Sequence, residues 1–377
     1  MSAFKRYANL NVVVTGDTGF KGSWLAWWLV RLGARVSGFA LPPEHRRGPY
    51  VLAGLREKVA HTDGDIRDLD RLSRAVRLAS PDVVFHLAAQ PIVRASYRDP
   101  IGTAATNILG TMHVLEAVRR LRRPCAVVVI TSDKCYENRE WAYAYRENDP
   151  MGGHDPYSAS KGCAEIMTSS FRRSFFDGSE VRVATARAGN VIGPGDWSVD
   201  RIVPYALRAL MRGKTVGVRN PGAVRPWQYL LDPLTGYLQL GLRLLAGDGA
   251  RFCEAWNFGP RPDTARTVRY LVEEILSVWG KGRWRSLRRA GQPHEAGYLR
   301  LAIDRAMSRL DWRPLWDFEM AVFDTVDGYR ALAKCARDPK AARAVLDKKI
   351  SEYQEYACAE GLRWAQPDIR LRIIGRV

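Results

Sequence analysis

The sequence has no C-x-x-C pair, and its six cysteines (125, 135, 163, 253, 335 and 358) are scattered over 377 residues. That pattern excludes a disulfide framework and predicts free thiols in a reducing compartment. No internal repeat at a solenoid or propeller period and no low-complexity tract is present, which excludes stacked-repeat architectures. No apolar run reaches the length of a bilayer span. The most apolar helical stretch, Trp24 to Val30, is closed by Arg31, and Val12-Val13-Val14 is far too short for a secretory signal. These absences predict a cytoplasmic protein with no membrane association.

Blocks of like charge are also missing. The net charge is +18, from 58 Lys and Arg against 40 Asp and Glu, but the arginines are spread along the chain. A basic arm for nucleic acid would show runs of five or six. No nucleic-acid partner is expected. The excess reads as an arginine-rich solvated surface, with attraction to anionic substrates and non-specific polyanion contact as the other uses of the charge. At 46% hydrophobic and 26% charged residues, the chain is globular and long enough for two lobes.

What is present begins at the N-terminus. Leu10 to Thr15 is a buried strand by its unbroken β-branched run. Gly16-Asp17-Thr18-Gly19-Phe20-Lys21-Gly22 follows, then an apolar helical run from Ser23 to Leu32, stopped by Gly33. Strand, glycine turn and helix form the context in which glycines bring backbone against a pyrophosphate. The spacing is G-x-x-G-x-x-G. The second strand, Ala34 to Ala40, ends in Phe39-Ala40-Leu41-Pro42-Pro43 without the acid that would read the adenosine ribose of NAD. Glu44, His45, Arg46 and Arg47 lie just beyond, so spacing alone leaves NADP open.

Gly64 to Asp68 reads either as a loop at an adenine edge or as a turn with an Asp helix cap. Asp82 to Leu87 is the next buried strand, with His86 read as a buried, hydrogen-bonded side chain, and Ala88-Ala89-Gln90 ends it with small residues. Asn107 to Leu121 is an amphipathic helix. Ala126 to Ile130 is a strand that delivers Thr131-Ser132-Asp133-Lys134-Cys135-Tyr136 at its carboxyl end, where open α/β sheets bind ligands. Glu137 to Asp155 reads as a polar, aromatic loop over the site. Pro156 predicts a helix start, which puts Tyr157 and Lys161 one turn apart on one face, about 5–6 Å between Cβ atoms. An ammonium neighbour favours the phenolate, so such a pair can take a proton from a hydroxyl. Taken alone, Y-x-x-x-K is a common spacing.

Strands and helices alternate through Val181 to Ala186, predicting a doubly wound parallel sheet, a Rossmann α/β fold. The pattern then loosens into short helices (Arg201 to Arg212, Val268 to Trp279). The expected organisation is a dinucleotide-binding domain over 1–190 with a return near 227–258. A smaller mixed α/β substrate lobe follows over 191–226 and 259–335, and a charged tail over 336–377.

Taken together, T-G-D-T-G-F-K-G (15–22), H-L-A-A-Q-P (86–91), T-S-D-K-C-Y (131–136), N-R-E-W (138–141), M-G-G-H-D-P-Y-S-A-S-K-G-C-A-E (151–165), R-A-G-N-V-I-G (187–193), R-P-W-Q (225–228), W-N-F-G-P (256–260) and P-H-E-A (293–296) resemble the CDP-glucose 4,6-dehydratases. These form a family within the extended short-chain dehydrogenase/reductase superfamily, and the likeness spans about residues 8 to 335. It implies NAD, held by Gly16, Thr18, Gly19, Phe20, Lys21, Gly22, Asp65, Ile66, Ala88, Ala89, Gln90, Asn107, Tyr157 and Lys161. It also implies a nucleotide-sugar substrate, CDP-glucose, oxidised at C4, dehydrated across C5 and C6, and given its hydride back at C6. The implied catalytic roles are Tyr157 as base with Lys161 lowering its pKa, Ser132 on the 4-hydroxyl, Asp133 as acid and Lys134 as the C5 base. Asn190 and Arg225 are implied near the diphosphate, with Arg94, Arg201 and His294 as further substrate contacts, and no metal.

Leu299 to Asp304 departs from the family, which has Asp at the place of Ala302, and this puts contacts near His294 and Glu295 in doubt. The helices 107–121 and 157–175 are expected to pair in a homodimer. An epimerase, a reductase or a dehydratase for another nucleotide stands as the alternative within the same fold, and a non-enzymatic cofactor-sensing or RNA-associated protein as the alternative outside it.

Overall fold

The computed structural model describes residues 2–261, 265–287 and 298–366. Six strands, β1 (Asn11–Thr15), β2 (Arg35–Ala40), β3 (Ala60–Asp63), β4 (Val83–His86), β5 (Cys125–Ile130) and β6 (Val181–Arg187), build most of one parallel sheet. A seventh, Ala255–Asn257, joins its edge, giving the order 255–257, β6, β5, β4, β1, β2, β3. The order reverses between β1 and β4, and that reversal opens a crevice at the carboxyl ends of the strands.

The unbroken apolar runs of the strands are explained by burial on both faces. Val12, Val14, Phe85 and Val128 point into one core with Trp24, Trp28 and Leu238. Val13, Val84, Val127 and Val129 point into the other with Leu72, Val76, Leu115 and Val118. The expected helices form at Phe20–Arg31, Ile202–Met211 and Val268–Trp279. The amphipathic helix expected from Asn107 is the last part of a longer run. Pro100–Ala104 is α-helical, Ala105–Leu109 is a π turn, and Gly110–Arg119 is α-helical again. Beyond Ala336, the charged segment forms the helix Pro339–Ala359, whose Leu346, Ile350, Tyr353 and Ala357 are wholly buried.

The polar loop after Glu137 lies elsewhere than expected. Tyr145 pairs with Leu301, and Tyr136, Tyr145 and Trp141 stack in sequence against Leu299 and Leu301. Its aromatic residues find an apolar surface there, and none of residues 137–155 lines the central cavity. Among the described residues, no helix is long and apolar enough to cross a membrane.

Candidate active site

A cavity of about 510 Å³ opens at the carboxyl edge of the sheet, within the range of small-molecule sites. One wall comes from the glycine turn and the strand ends: Phe20, Lys21, Leu87, Ala89, Ser132, Asp133 and Lys134. Tyr157 and Lys161 enter from the helix Pro156–Phe175. The opposite wall comes from residues after 188.

The glycine turn is built for close approach. Gly16 takes φ +76°, and a Cβ there would stand 2.7 Å from the Ala88 nitrogen. A Cβ on Gly22 would stand 2.0 Å from the Gly16 carbonyl oxygen, so only glycine lets the helix pack on the turn. Helix Phe20–Arg31 has no side-chain cap at its start. Its opening N–H groups are therefore available to an anion, as a dinucleotide pyrophosphate requires. The residues present thus fit such a cofactor.

Around this turn, Thr18 Oγ1 donates to the Leu41 carbonyl, 2.9 Å. Asn107 acts as a bracket between the strand-end loop and the Tyr157 helix. It accepts from the Gln90 N–H (2.8 Å) and donates to the Gln90 carbonyl (3.0 Å) and Ser160 Oγ (2.9 Å). Ile66 is packed under Gly110, and Asp65 is paired with Arg67 at 2.6 Å. Arg47, one of the two arginines that kept NADP open, lies over Trp197, and its carbonyl accepts from the Trp197 indole. His86 bridges Thr15 (2.7 Å) and Thr111 (3.1 Å), and burial, then Lys161, pushes it down to about 3. It is the neutral core histidine the sequence suggested.

Asp155 caps the helix by accepting from Ser158 N–H at 2.9 Å, and Pro156 sits in the first turn. This fixes Tyr157 and Lys161, 7% and 5% exposed, toward the cavity. The Tyr157 hydroxyl hydrogen-bonds Ser132. Ser132 Oγ donates to Asp133 Oδ1 at 2.9 Å, and Asn190 Nδ2 donates to Asp133 Oδ2 at 3.1 Å. Gly189 leaves room for that carboxylate, since a Cβ there would meet it at 2.0 Å. Phenol, hydroxyl and carboxyl thus form one hydrogen-bonded line.

The electrostatics differ from expectation. Burial pushes Tyr157 up to about 12, ahead of the opposing pull of Ser132 and Arg201. Burial also pushes Lys161 down to about 8. Desolvation thus dominates the i+4 charge effect that the sequence led one to expect.

Arg94, Lys134, Asn190, Arg201 and Arg225 all line the same cavity. Arg201 is paired with Asp196 at 2.9 Å. Asn190, expected near the diphosphate, holds Asp133. His294 lies outside the described residues. Sequence reading missed Tyr205, Val218, Arg219 and Asn220, which line the cavity from the chain beyond residue 200. They carry no motif, and only the fold brings them to the site. Lys21, expected among the residues that hold the cofactor, brings its side chain there as well. The amine reaches the cavity, donates to Tyr237 Oη at 3.3 Å, and is pushed down to about 7 by burial, then by Arg201 and Lys161.

A family profile described as GDP-mannose 4,6 dehydratase matches residues 13–241. CDP-glucose 4,6-dehydratase of Salmonella typhimurium is 48% identical over 310 residues, 81% of this chain and 86% of that protein. A dTDP-glucose 4,6-dehydratase of Streptomyces antibioticus is 30% identical, covering 85% of this chain and 92% of the relative. Among solved structures, a Thermus thermophilus UDP-glucose 4-epimerase in complex with NAD superposes with a TM-score of 0.71 at 26% identity. That match covers 85% of this chain and 98% of the epimerase. On these matches and the geometry above, the chain belongs to the nucleotide-sugar 4,6-dehydratases of the extended short-chain dehydrogenase/reductase superfamily.

Proposed function

We propose that the protein is an NAD-dependent CDP-glucose 4,6-dehydratase, a hydro-lyase of deoxysugar biosynthesis that makes CDP-4-keto-6-deoxyglucose. The observation that carries the reading is the line Tyr157–Ser132–Asp133 inside the cavity at the carboxyl edge of the sheet. An epimerase needs only to move hydride and one proton at C4, whereas a dehydratase must also protonate a departing hydroxyl. A carboxyl held in hydrogen-bonded sequence with the C4 base meets that second need. The 48% identity to the Salmonella enzyme supports CDP-glucose as the substrate.

NAD, when bound at the glycine turn, supplies the acceptor and later the donor of the hydride. Gly16, Gly19 and Gly22 with the opening turn of the helix at Phe20 and Lys21 would hold it, together with Ala88, Ala89, Tyr157 and Lys161. The chain's own residues handle the protons. Tyr157 takes the proton of the 4-hydroxyl. With Ser132 already donating to Asp133, the proton that the phenol has taken can pass through Ser132 to that carboxylate, which leaves Asp133 protonated and neutral, the form that can act as the acid for the C6 oxygen. Lys134, on the same loop, is the C5 base. Lys21 is a second cavity amine with a value suited to that work. Asn190 holds Asp133 in place. Arg94, Arg201 and Arg225 meet the diphosphate, for which the arginine fork is suited.

The reading divides the chain as the sequence suggested: a dinucleotide-binding part over 1–190 with the return at 227–258, a substrate lobe over 191–226 and 259–335, and residues 336–377 as a charged C-terminal part. It places the enzyme in the cytoplasm as a homodimer. The exposed Tyr97, Ile101, Leu109, Ile166 and Phe175 support a helix-to-helix contact between copies.

Incubation of the purified protein with CDP-glucose and NAD tests the assignment. The expected product is a 4-keto-6-deoxy sugar nucleotide, seen by its alkaline absorbance and by loss of one water in mass spectrometry. A product of unchanged mass would make it an epimerase.

A further inference from the structure

The second strand ends without the acid that reads an adenosine ribose, and the neighbouring strand shows what takes its place. We propose that Asp63, at the end of β3, selects NAD over its 2′-phosphorylated counterpart by standing in for the missing acid at the end of β2. The proposal rests on the cofactor reading given above.

Ala40 occupies the end of β2, and its register partner in β3 is Asp63. Partners in a parallel pair leave the sheet on the same face at the same height, one strand spacing of about 4.8 Å apart. The Asp63 carboxylate therefore rises beside the empty place. It is at the carboxyl edge of the sheet, since Gly64 N–H immediately after it bonds the Ala40 carbonyl at 2.8 Å. Thr18, tied to Leu41, brings the glycine turn to the same edge. A dinucleotide with its pyrophosphate on that turn lays its adenosine ribose over these strand ends.

The carboxylate is also fixed. Arg56 Nη2 lies 2.8 Å from Asp63 Oδ2, and His61 Nε2 lies 3.2 Å from Oδ1. The other ring nitrogen of His61 lies 2.7 Å from Asp17 Oδ2, and Asp17 belongs to the glycine turn itself. Gly38 gives Asp17 its room, for a Cβ there would meet the Asp17 carboxylate at 2.0 Å. The side chains of Asp17 and His61 are 0% and 1% exposed, whereas that of Asp63 is 38% exposed and reaches solvent. A rigid line thus runs from the pyrophosphate turn, through His61, to an acid at the ribose edge. The Arg56 hydrogen bond holds Asp63 below the usual carboxylate range, so it is ionised at neutral pH. Asp17 and His61 are positioning residues in this scheme.

The chemistry follows from charge. An ionised carboxylate accepts hydrogen bonds from ribose hydroxyls and repels a phosphate. Arg56, 60% exposed, would welcome a 2′-phosphate if Asp63 did not neutralise it.

Fluorescence titration of the full-length protein with NADH and NADPH tests the idea through binding alone. The wild type is expected to prefer NADH. Asp63→Asn is expected to reduce that preference at least about tenfold, from the loss of one charged acceptor. Arg56→Ala in the Asp63→Asn background is expected to abolish any gain for NADPH. A preference in Asp63→Asn within threefold of the wild type would overturn the proposal. So would a wild type that binds both dinucleotides equally, a result that needs no variant to fold. A wild type that binds neither dinucleotide sinks the cofactor reading itself, and this inference with it.

Discussion

Replacing Asp133 with asparagine separates the chemistry of the site from its architecture. In the structure the carboxylate accepts from Ser132 at 2.9 Å and from Asn190 at 3.1 Å, with Gly189 against it. Asparagine fits the same space. Its amide oxygen can accept from one of the two donors, while its amide nitrogen then faces the other donor. One hydrogen bond is lost, a cost of about 0.5–1.5 kcal/mol in stability. The catalytic loss is larger, because an amide cannot carry the proton that the C6 oxygen needs. Removing a general acid costs about 10²–10⁴-fold in rate, or about 3 to 5 kcal/mol of barrier. The variant should therefore melt close to the wild type and still take hydride from C4. Dehydration should be slowed at least a hundredfold, leaving reduced cofactor to accumulate when CDP-glucose is mixed with enzyme and NAD in stopped flow. An Asp133→Asn protein that releases dehydrated product at more than a tenth of the wild-type rate would refute the role of Asp133 and with it the proton path from Tyr157.

Tyr157→Phe should bind NAD normally and show no reduced cofactor on mixing with CDP-glucose; formation of reduced cofactor at the wild-type rate would place the C4 base elsewhere. Glu165 accepts from Thr131 (2.5 Å), Thr185 (2.7 Å) and Arg187 (2.8 Å). Despite burial these partners hold it below its ordinary value, so its stabilisation is present above the unfolded pKa and lost as pH falls through the folded one. Glu165→Gln leaves the buried Arg187 without its partner charge and should cost about 3–5 kcal/mol in urea unfolding at neutral pH, with a loss under about 1 kcal/mol counting against the pair. Lys21, held down to about 7 mainly by burial, binds fewer protons folded than unfolded between that pH and its ordinary value. Stability should accordingly rise with pH across that window, and Lys21→Met should flatten the rise in a series of thermal melts; an unchanged slope would show that the amine is solvated.

The sheet was legible because both faces are buried. Runs such as Val12-Val13-Val14 and Ala126 to Ile130 need no alternation when cores lie above and below them. The glycine turn was legible for a related reason, since Gly16 and Gly22 stand where a Cβ would strike backbone. The cavity's far wall was not legible. Tyr205, Val218 and Asn220 have no local pattern, and their place depends on how the chain after the sixth strand folds back. The shift of Tyr157 was misjudged because i+4 spacing reveals a neighbour but not the solvent removed from around it. Asp63 escaped notice because the rule for ribose recognition looks along one strand, whereas the stand-in comes from the next strand in register.

The last helix has a consequence for how this chain is made. Asp347 accepts from the indole of Trp27, and its carbonyl accepts from Arg31, both on the helix that follows the glycine turn. Tyr353 reaches the buried Asp232 at 2.5 Å. The outer side of the first helix is thus covered by residues that leave the ribosome some 320 positions later. Until that last helix has emerged, the nascent sheet and its first helix keep greasy surface bare and a carboxylate short of a partner, and chaperone contact is expected to persist until then.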